Sequence, residues 1–188
     1  MATPPIATQV PQLVFVGGSP RSGTTLLQNI LDSHPEILGG PEFLHLEHIV
    51  QVRNAMHESA SKGWLDEFCG AEEVDGQFAR LIEDFLFPLA HKHEKRILSE
   101  KTPSNILVFR ELMDLFPNAH FIHVVRDPRA IAASMLQVGM RAEKKGQRLQ
   151  GFTRDIGASA RYIQRCLLAG DAAAKHAPDR LLTVRYES

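Results

Sequence analysis

Short apolar runs alternate along the chain with longer stretches in which apolar residues return every three or four positions. Such runs are typical of buried strands, and the longer spacing is typical of amphipathic helices. The runs predict strands over residues 13–16, 36–38, 96–99, 120–125 and 181–186. The longer stretches predict helices over residues 25–33, 43–60, 74–91, 104–116 and 152–175. The polar, basic stretch 141–150 is expected to be a loop or a frayed helix end.

Strands that alternate with helices predict an α/β fold, in which helices cover a parallel β-sheet on both faces and give three layers. Ligands of such sheets bind beyond the carboxyl ends of the strands. Segment 17–23, Lys101 and Arg126 all lie at predicted strand ends, so they are expected to form one site. A further helix is predicted to begin at Asp127-Pro128, because Asp caps free amides and Pro suits the first helical position.

The composition narrows the class of protein. With 188 residues, of which 44% are hydrophobic, the chain is expected to form one domain with a buried core. A formal net charge of −1 predicts neither a nucleic-acid-binding protein nor one that is attracted to membranes. The first residues do not have the pattern of a leader peptide, so we expect a cytoplasmic protein. Cys69 and Cys166 are expected to be free thiols, with one disulfide between them as the alternative.

The stretch "GGSPRSGTTLL" at residues 17–27 follows the first predicted strand and opens the first predicted helix. Its glycines let successive amides point into one concavity, and the helix adds the positive end of its dipole. The nucleotide-binding pattern is G-x-x-x-x-G-K-S/T, whereas residues 18–25 read G-S-P-R-S-G-T-T. Thr24 replaces the lysine, and Arg21 carries the positive charge. A tight turn with an exposed arginine is the alternative, but the pattern favours an anion site.

Other motifs accompany this loop. The sequence reads "LDSHPEILGGPE" at 31–42, "EKTPSN" at 100–105, "FPNAHFIHVVRDPRAIAASM" at 116–135 and "LLTVRYES" at 181–188. Together with the loop they resemble the sulfotransferase family, in particular its tyrosylprotein-sulfotransferase branch. The resemblance implies a P-loop NTPase-like sulfotransferase fold and a donor, 3′-phosphoadenosine 5′-phosphosulfate (PAPS), used without a metal ion. That donor has no γ-phosphate, which accounts for a loop without the lysine.

The resemblance implies roles for residues around the donor. Arg21 and Lys101 would act as catalytic cations on the oxygen that leaves sulfur. The 5′-phosphate would be held by the loop, through Arg21, Ser22, Gly23, Thr24 and Thr25. The 3′-phosphate would be held by Arg126 and Ser134, with Tyr186 near the adenine. Val138 stands where this branch has a further arginine, so either Arg141 or Arg129 would assist or the 3′-phosphate would be held more weakly.

An acceptor hydroxyl has to give its proton to a general base. Glu42 matches the glutamate base of the tyrosylprotein branch, and His45 is the alternative because cytosolic small-molecule sulfotransferases use a histidine. Phe43 and Leu44 replace polar and basic residues with which the tyrosylprotein enzymes hold acidic peptides. The acceptor class is therefore left open between a small molecule, a carbohydrate and a peptide.

The resemblance covers residues 13–188 after a short lead over 1–12, and we expect the C-terminal part of the family's domain to be missing. The expected function is PAPS-dependent sulfonyl transfer, with a non-catalytic module that binds PAPS or its bisphosphate product as the alternative. A P-loop kinase is disfavoured because Thr24 replaces the lysine, and because the fourth predicted strand leads into Arg126 rather than a magnesium-binding aspartate. No metal, nucleic-acid or membrane partner is expected.

Overall fold

Parallel strands form a single sheet at the centre of the structure. The computed structural model describes residues 10–188, apart from the side chain of Ala71, so most of the predicted lead lies outside the described residues. The strands are β1 (Gln12–Gly18), β2 (Ile37–Gly39), β3 (Ile97–Lys101), β4 (His120–Val125) and β5 (Leu181–Arg185). Their order in the sheet is β2-β3-β1-β4-β5. Every neighbouring pair is parallel, which confirms the predicted α/β class.

The helices follow the predicted spacing with two differences. They are α1 (Thr24–Asp32), α2 (Leu46–Ser61), α3 (Ala71–Lys92), α4 (Phe109–Leu115), α5 (Pro128–Lys144) and α6 (Ile156–His176). The predicted helix 104–116 is divided into a 3-10 turn over Pro103–Val108 and the shorter α4. The stretch 141–150 is helical as far as Lys144, and Gly146 then takes a left-handed conformation with φ of 62°.

Packing explains why the predicted helix 104–116 is divided. The 3-10 turn lies against β1 so closely that a Cβ on Gly17 would come within 2.8 Å of the Ile106 backbone nitrogen. The turn also buries Asn105 beneath the sheet edge. The spacing of apolar residues along 104–116 does not predict this division of the helix, because the division depends on how closely the 3-10 turn packs against β1.

Successive side chains of β1 pack on opposite faces of the sheet. Phe15 is fully buried on the larger face, where its ring lies 5.3 Å from that of Phe121. Helices α2, α3, α4 and α6 contribute to the core on this face. Val16 is fully buried on the opposite face, where Leu27 and Leu31 of α1 pack. The three predicted layers are thereby confirmed.

Two chemical features accompany this architecture. Cys69 and Cys166 are free thiols, as expected, and burial raises the pKa of Cys166 to about 12. Between residues 10 and 188, no helix combines the length and the apolar character that a membrane crossing needs.

Candidate active site

The glycine-rich loop connects β1 to α1 at the carboxyl edge of the sheet. Arg21 has a φ of 74° and Gly23 one of 107°, so the loop turns sharply before the helix begins at Thr24. Within the loop, the Ser22 amide donates to the Ser19 carbonyl at 3.0 Å. The first turn of α1 contains no acidic side chain. Its free amides and the positive end of its dipole are therefore available to an anion.

Arg21 and Arg126 connect the loop to the end of β4 and to α5. Arg21 Nε donates to Ser134 Oγ at 3.0 Å, across 113 positions of sequence. Arg126 follows β4 directly and donates through Nη1 to the Arg21 carbonyl at 3.2 Å. The structure thus brings together three of the residues to which the two phosphates of the donor were assigned.

Tyr186 supports this cluster from the end of β5. Its amide donates to the Val125 carbonyl at 2.9 Å, which places the ring beside the loop. The Arg126 guanidinium carbon lies 4.3 Å from the centre of that ring, which is a cation–π contact. Because Tyr186 lies under Arg126 and against Gly23, it helps to position both sides of the candidate phosphate site.

Two buried polar atoms in this cluster fit a bound phosphate. Ser22 Oγ and Arg126 Nε are buried and have no hydrogen-bond partner within residues 10–188. Buried polar atoms are nearly always paired, and leaving one unpaired costs about 1–3 kcal/mol. Both atoms are donors or potential donors, so an anion would satisfy them. Their position in the cluster of Arg21 and Ser134 agrees with the expected donor.

Lys101 and Glu42 form an ion pair next to the loop. Lys101 is the last residue of β3 and lies beside Val16 of β1 in the sheet register. Its Nζ donates to a carboxylate oxygen of Glu42, which lies in the segment after β2. The Lys101 side chain is 8% exposed, whereas that of Glu42 is 40% exposed. A buried cation and an accessible carboxylate therefore meet at the edge where the loop begins.

His45, the alternative base, has different neighbours. It precedes α2, is exposed, and its ring meets the edge of the Phe43 ring at 5.7 Å. The structure brings Glu42, rather than His45, to Lys101. Of the two candidate bases, Glu42 is the one that is paired with Lys101.

Arg129 and Arg141 were the candidates to assist Arg126. The Arg129 side chain is 91% exposed and pairs with Asp127 at 2.6 Å. Hydrogen bonds from the Arg129 side chain and amide lower the pKa of Asp127 to about 2. Arg141 is exposed, and it lies near the end of α5, about 10 Å along the helix from Ser134. Arg129 is therefore occupied by its own aspartate.

Glu100 was missed in the sequence analysis. Its side chain is 2% exposed and accepts hydrogen bonds from the Phe43 amide at 2.9 Å and from Thr102 Oγ1 at 2.6 Å. Burial raises its pKa to about 7. A signal was present: Glu100 is two residues after Leu98 in a strand, so its side chain faces the same core. An acid at a core position of a strand indicates a buried carboxyl with hydrogen-bond partners.

A model of the sulfotransferase family matches residues 11–188. The chain belongs to the sulfotransferase family. Among curated proteins it is 37% identical to protein-tyrosine sulfotransferase 2 of Gallus gallus, over 66% of this chain and 33% of that protein. It is also 37% identical to protein-tyrosine sulfotransferase 1 of Homo sapiens, over 66% of this chain and 34% of that protein. The chain thus matches about a third of the length of these relatives.

Solved sulfotransferases share the fold. The crystal structure of sulfotransferase STF9 from Mycobacterium avium matches with a TM-score of 0.54 and 14% identity, over 95% of this chain and 60% of that one. Sulfotransferase STF1 from Mycobacterium tuberculosis matches with a TM-score of 0.52 and 15% identity, over 97% of this chain and 64% of that one. At this identity the likeness concerns the fold, and it confirms the sulfotransferase type of α/β architecture that was predicted.

Proposed function

We propose that this member of the sulfotransferase family transfers a sulfonyl group from PAPS to an acceptor hydroxyl. The observation that carries the proposal is the Lys101–Glu42 ion pair at the edge of the anion loop. It supplies a carboxylate that can take a proton next to a cation that can face a growing negative charge. The anion loop and the cluster of Arg21, Ser134 and Arg126 supply the binding part of the same site.

In this proposal the donor is held by residues of the loop and of the β4 end. The backbone amides of Ser22, Gly23, Thr24 and Thr25, together with the hydroxyls of the serine and the two threonines, would hold the 5′-phosphate. Arg126 and Ser134 would hold the 3′-phosphate, and Tyr186 would lie near the adenine. When bound, PAPS would supply the sulfonyl group, whose bond to the phosphate oxygen breaks as the acceptor oxygen bonds to sulfur.

Glu42 would accept the proton of the acceptor hydroxyl, and Lys101 and Arg21 would stabilise the charge on the leaving phosphate oxygen. Fixed cations aimed at such a charge contribute strongly, because they need no reorganisation during the reaction. Lys101 is suited to this role because its side chain is buried and held at the end of a strand. No metal ion is assigned a role in this reaction.

The acceptor is a hydroxyl compound, and its surroundings are expected to be largely uncharged. Leu44, two residues after Glu42, is 61% exposed, and the Phe43 ring packs at a tilt against that of Phe85, with the ring centres 5.4 Å apart. An acidic peptide would gain little from these apolar side chains. A small molecule, a carbohydrate and a peptide all stay open as acceptors, and a cytoplasmic location stays a prediction.

A binding titration tests the proposal. We would titrate the chain with 3′-phosphoadenosine 5′-phosphate by calorimetry, with ATP and magnesium as the comparison ligand. Arg126→Ala should weaken bisphosphate binding roughly tenfold to hundredfold, as expected for charge-assisted hydrogen bonds. Arg129→Ala is the matched control, and it should have little effect because Arg129 is exposed and paired with Asp127. Equal losses in both variants, or equal binding of ATP, would contradict the assigned site.

Transfer from labelled PAPS to a panel of phenols, sugars and peptides then separates an enzyme from a binding module. Glu42→Gln should slow transfer about 10²–10⁴-fold, the usual contribution of a general base, and keep bisphosphate binding. A chain that binds the bisphosphate but transfers nothing to any acceptor would be a binding module.

A further inference from the structure

Glu100 is buried in β3 directly before Lys101, and its carboxylate accepts from the amide of Phe43, the residue after Glu42. We propose that Glu100 is a positioning residue, which holds Glu42 opposite Lys101 through the backbone amide of Phe43. The inference rests on the proposed function for the roles of Glu42 and Lys101. It adds a residue that touches neither the donor loop nor the candidate phosphate cluster.

The Glu100 carboxylate joins separate segments of the site. Oε1 accepts from the Phe43 amide at 2.9 Å and from Thr102 Oγ1 at 2.6 Å. Oε2 accepts from Asn105 Nδ2 in the 3-10 turn. The donors thus come from the segment after β2 and from the chain after β3. A single buried carboxylate fixes these two segments relative to each other.

The segment that carries Glu42 is attached to β3 on both sides of that residue. Before it, the Gly40 amide donates to the Ser99 carbonyl at 3.2 Å. After it, the Phe43 amide donates to Glu100. Because Glu42 lies between these attachments and is itself 40% exposed, loss of the second one would free its carboxylate to leave Lys101. The geometry of the ion pair therefore depends on a residue outside it.

The hydrogen bond between the Phe43 amide and Glu100 depends on pH, because the Glu100 carboxyl can gain a proton. Burial raises the pKa of Glu100 to about 7, and the negative charge of Glu42 adds to that increase. The hydrogen bonds from Thr102 and Phe43 and the positive charge of Lys101 act in the opposite direction. A protonated carboxyl is a weaker acceptor for the Phe43 amide than a carboxylate. His45 is a further titratable group close by, because its ring contacts that of Phe43.

The Phe43 amide itself reports on this contact, whether or not the chain is active. We would follow its proton chemical shift by NMR between pH 5 and about pH 9 in the full chain. In a His45→Gln background, where the neighbouring imidazole is absent, the resonance should titrate with a midpoint near 7, and it should not titrate once Glu100→Gln is added. A titration that survives in the double variant, or that is absent from His45→Gln alone, would overturn the inference.

Thr102→Val provides a second test, which does not depend on the folding of Glu100→Gln. It removes one donor to Oε1 and keeps the carboxylate. Because that hydrogen bond lowers the pKa of Glu100, the Phe43 midpoint should move to higher pH. An unchanged midpoint would show that the Phe43 amide does not sense the Glu100 carboxyl.

Transfer kinetics distinguish positioning from general stability. Glu100→Gln should lower kcat roughly tenfold to hundredfold, since small misplacements of catalytic groups have effects of that order. It should leave bisphosphate affinity nearly unchanged, and it should cause no further loss in a Glu42→Gln background. Ser159→Ala is the control for stability, because it removes a buried hydrogen bond to the Phe152 carbonyl in a distant part of the chain.

The outcomes for the two proposals can be told apart. If the wild type does not bind the bisphosphate, the proposed function fails, whatever the Phe43 titration shows. If the wild type binds and transfers, but Glu100→Gln keeps full kcat or loses activity additively with Glu42→Gln, the positioning role fails and the proposed function stands.

Discussion

Replacing Gly23 with alanine should disturb both the loop and Tyr186. Gly23 has a φ of 107°, and an added Cβ would lie 2.3 Å from Cδ2 of the Tyr186 ring. The left-handed conformation costs a non-glycine residue roughly 1–2 kcal/mol. The ring would also have to move by about 1 Å to restore an ordinary carbon–carbon contact.

The direction of that movement sets the magnitude of the effect. Tyr186 is 42% exposed, so its ring can swing towards solvent without opening the core. The movement would end its cation–π contact with Arg126, which is worth about 0.5–1 kcal/mol at an exposed site. Adding the strain to the lost contact gives a decrease of roughly 1.5–3 kcal/mol in the free energy of unfolding. Bisphosphate affinity should also fall, because Arg126 loses its support.

A double-mutant cycle in urea measures the two contributions separately. In a Tyr186→Ala background, Gly23→Ala should cost only the backbone strain of about 1–2 kcal/mol. Gly151→Ala is the matched control, because nothing lies within 4 Å of its added Cβ. If Gly23→Ala lowers the free energy of unfolding by the same amount in the wild-type and Tyr186→Ala backgrounds, the clash with Tyr186 is refuted. A cost no larger than that of Gly151→Ala would refute the strain as well.

Three further predictions concern charge and reactivity. Folding raises the pKa of Glu100 from its ordinary value of 4.5 to about 7. The stabilisation that comes from this shift is therefore lost as the pH rises from 4.5 towards 7. Burial lowers the pKa of His123 to about 4, so its contribution is lost as pH falls from 6.5. In the wild type these two effects oppose each other, and each amounts to up to about 3 kcal/mol. Urea unfolding between pH 4.5 and 6.5 should therefore show a stability that increases with pH in Glu100→Gln and decreases with pH in His123→Leu. If both variants keep the pH profile of the wild type, both pKa shifts are contradicted. Lys101→Met should lower kcat by about 10²–10³ with labelled donor, and wild-type turnover would exclude its cationic role. A thiol reagent should modify Cys69 in the native chain and spare the buried Cys166, so Cys69→Ser should abolish fast labelling.

The sequence was sufficient for the strands and for the site at their carboxyl edge. Strand runs such as 120–125 are apolar because a parallel strand is buried on both faces, and this pattern is local. The positions of Arg21, Lys101 and Arg126 after strands followed from the same local order, since parallel strands present their carboxyl ends together. Asp127 caps α5 as predicted, accepting from the Arg129 amide at 2.8 Å.

Other features depend on contacts between distant positions. The division of the predicted helix 104–116 follows from the close approach of Ile106 to Gly17. The choice of Glu42 over His45 as the partner of Lys101 depends on how the segment after β2 crosses the end of β3. Neither outcome follows from residue spacing, because both depend on which strands are neighbours in the sheet.

By itself, the sequence determined the order of strands and helices, the anion loop with its arginine, and the edge of the sheet where a site could form. These properties depend on residues a few positions apart, whose spacing and backbone preferences are written in the chain. Only the tertiary structure decided that Glu42 meets Lys101, that Arg21 meets Ser134, and that Glu100 is buried between segments of the site. Those contacts exist because the pairing of β2 with β3 and of β1 with β4 brings distant residues to within hydrogen-bond distance.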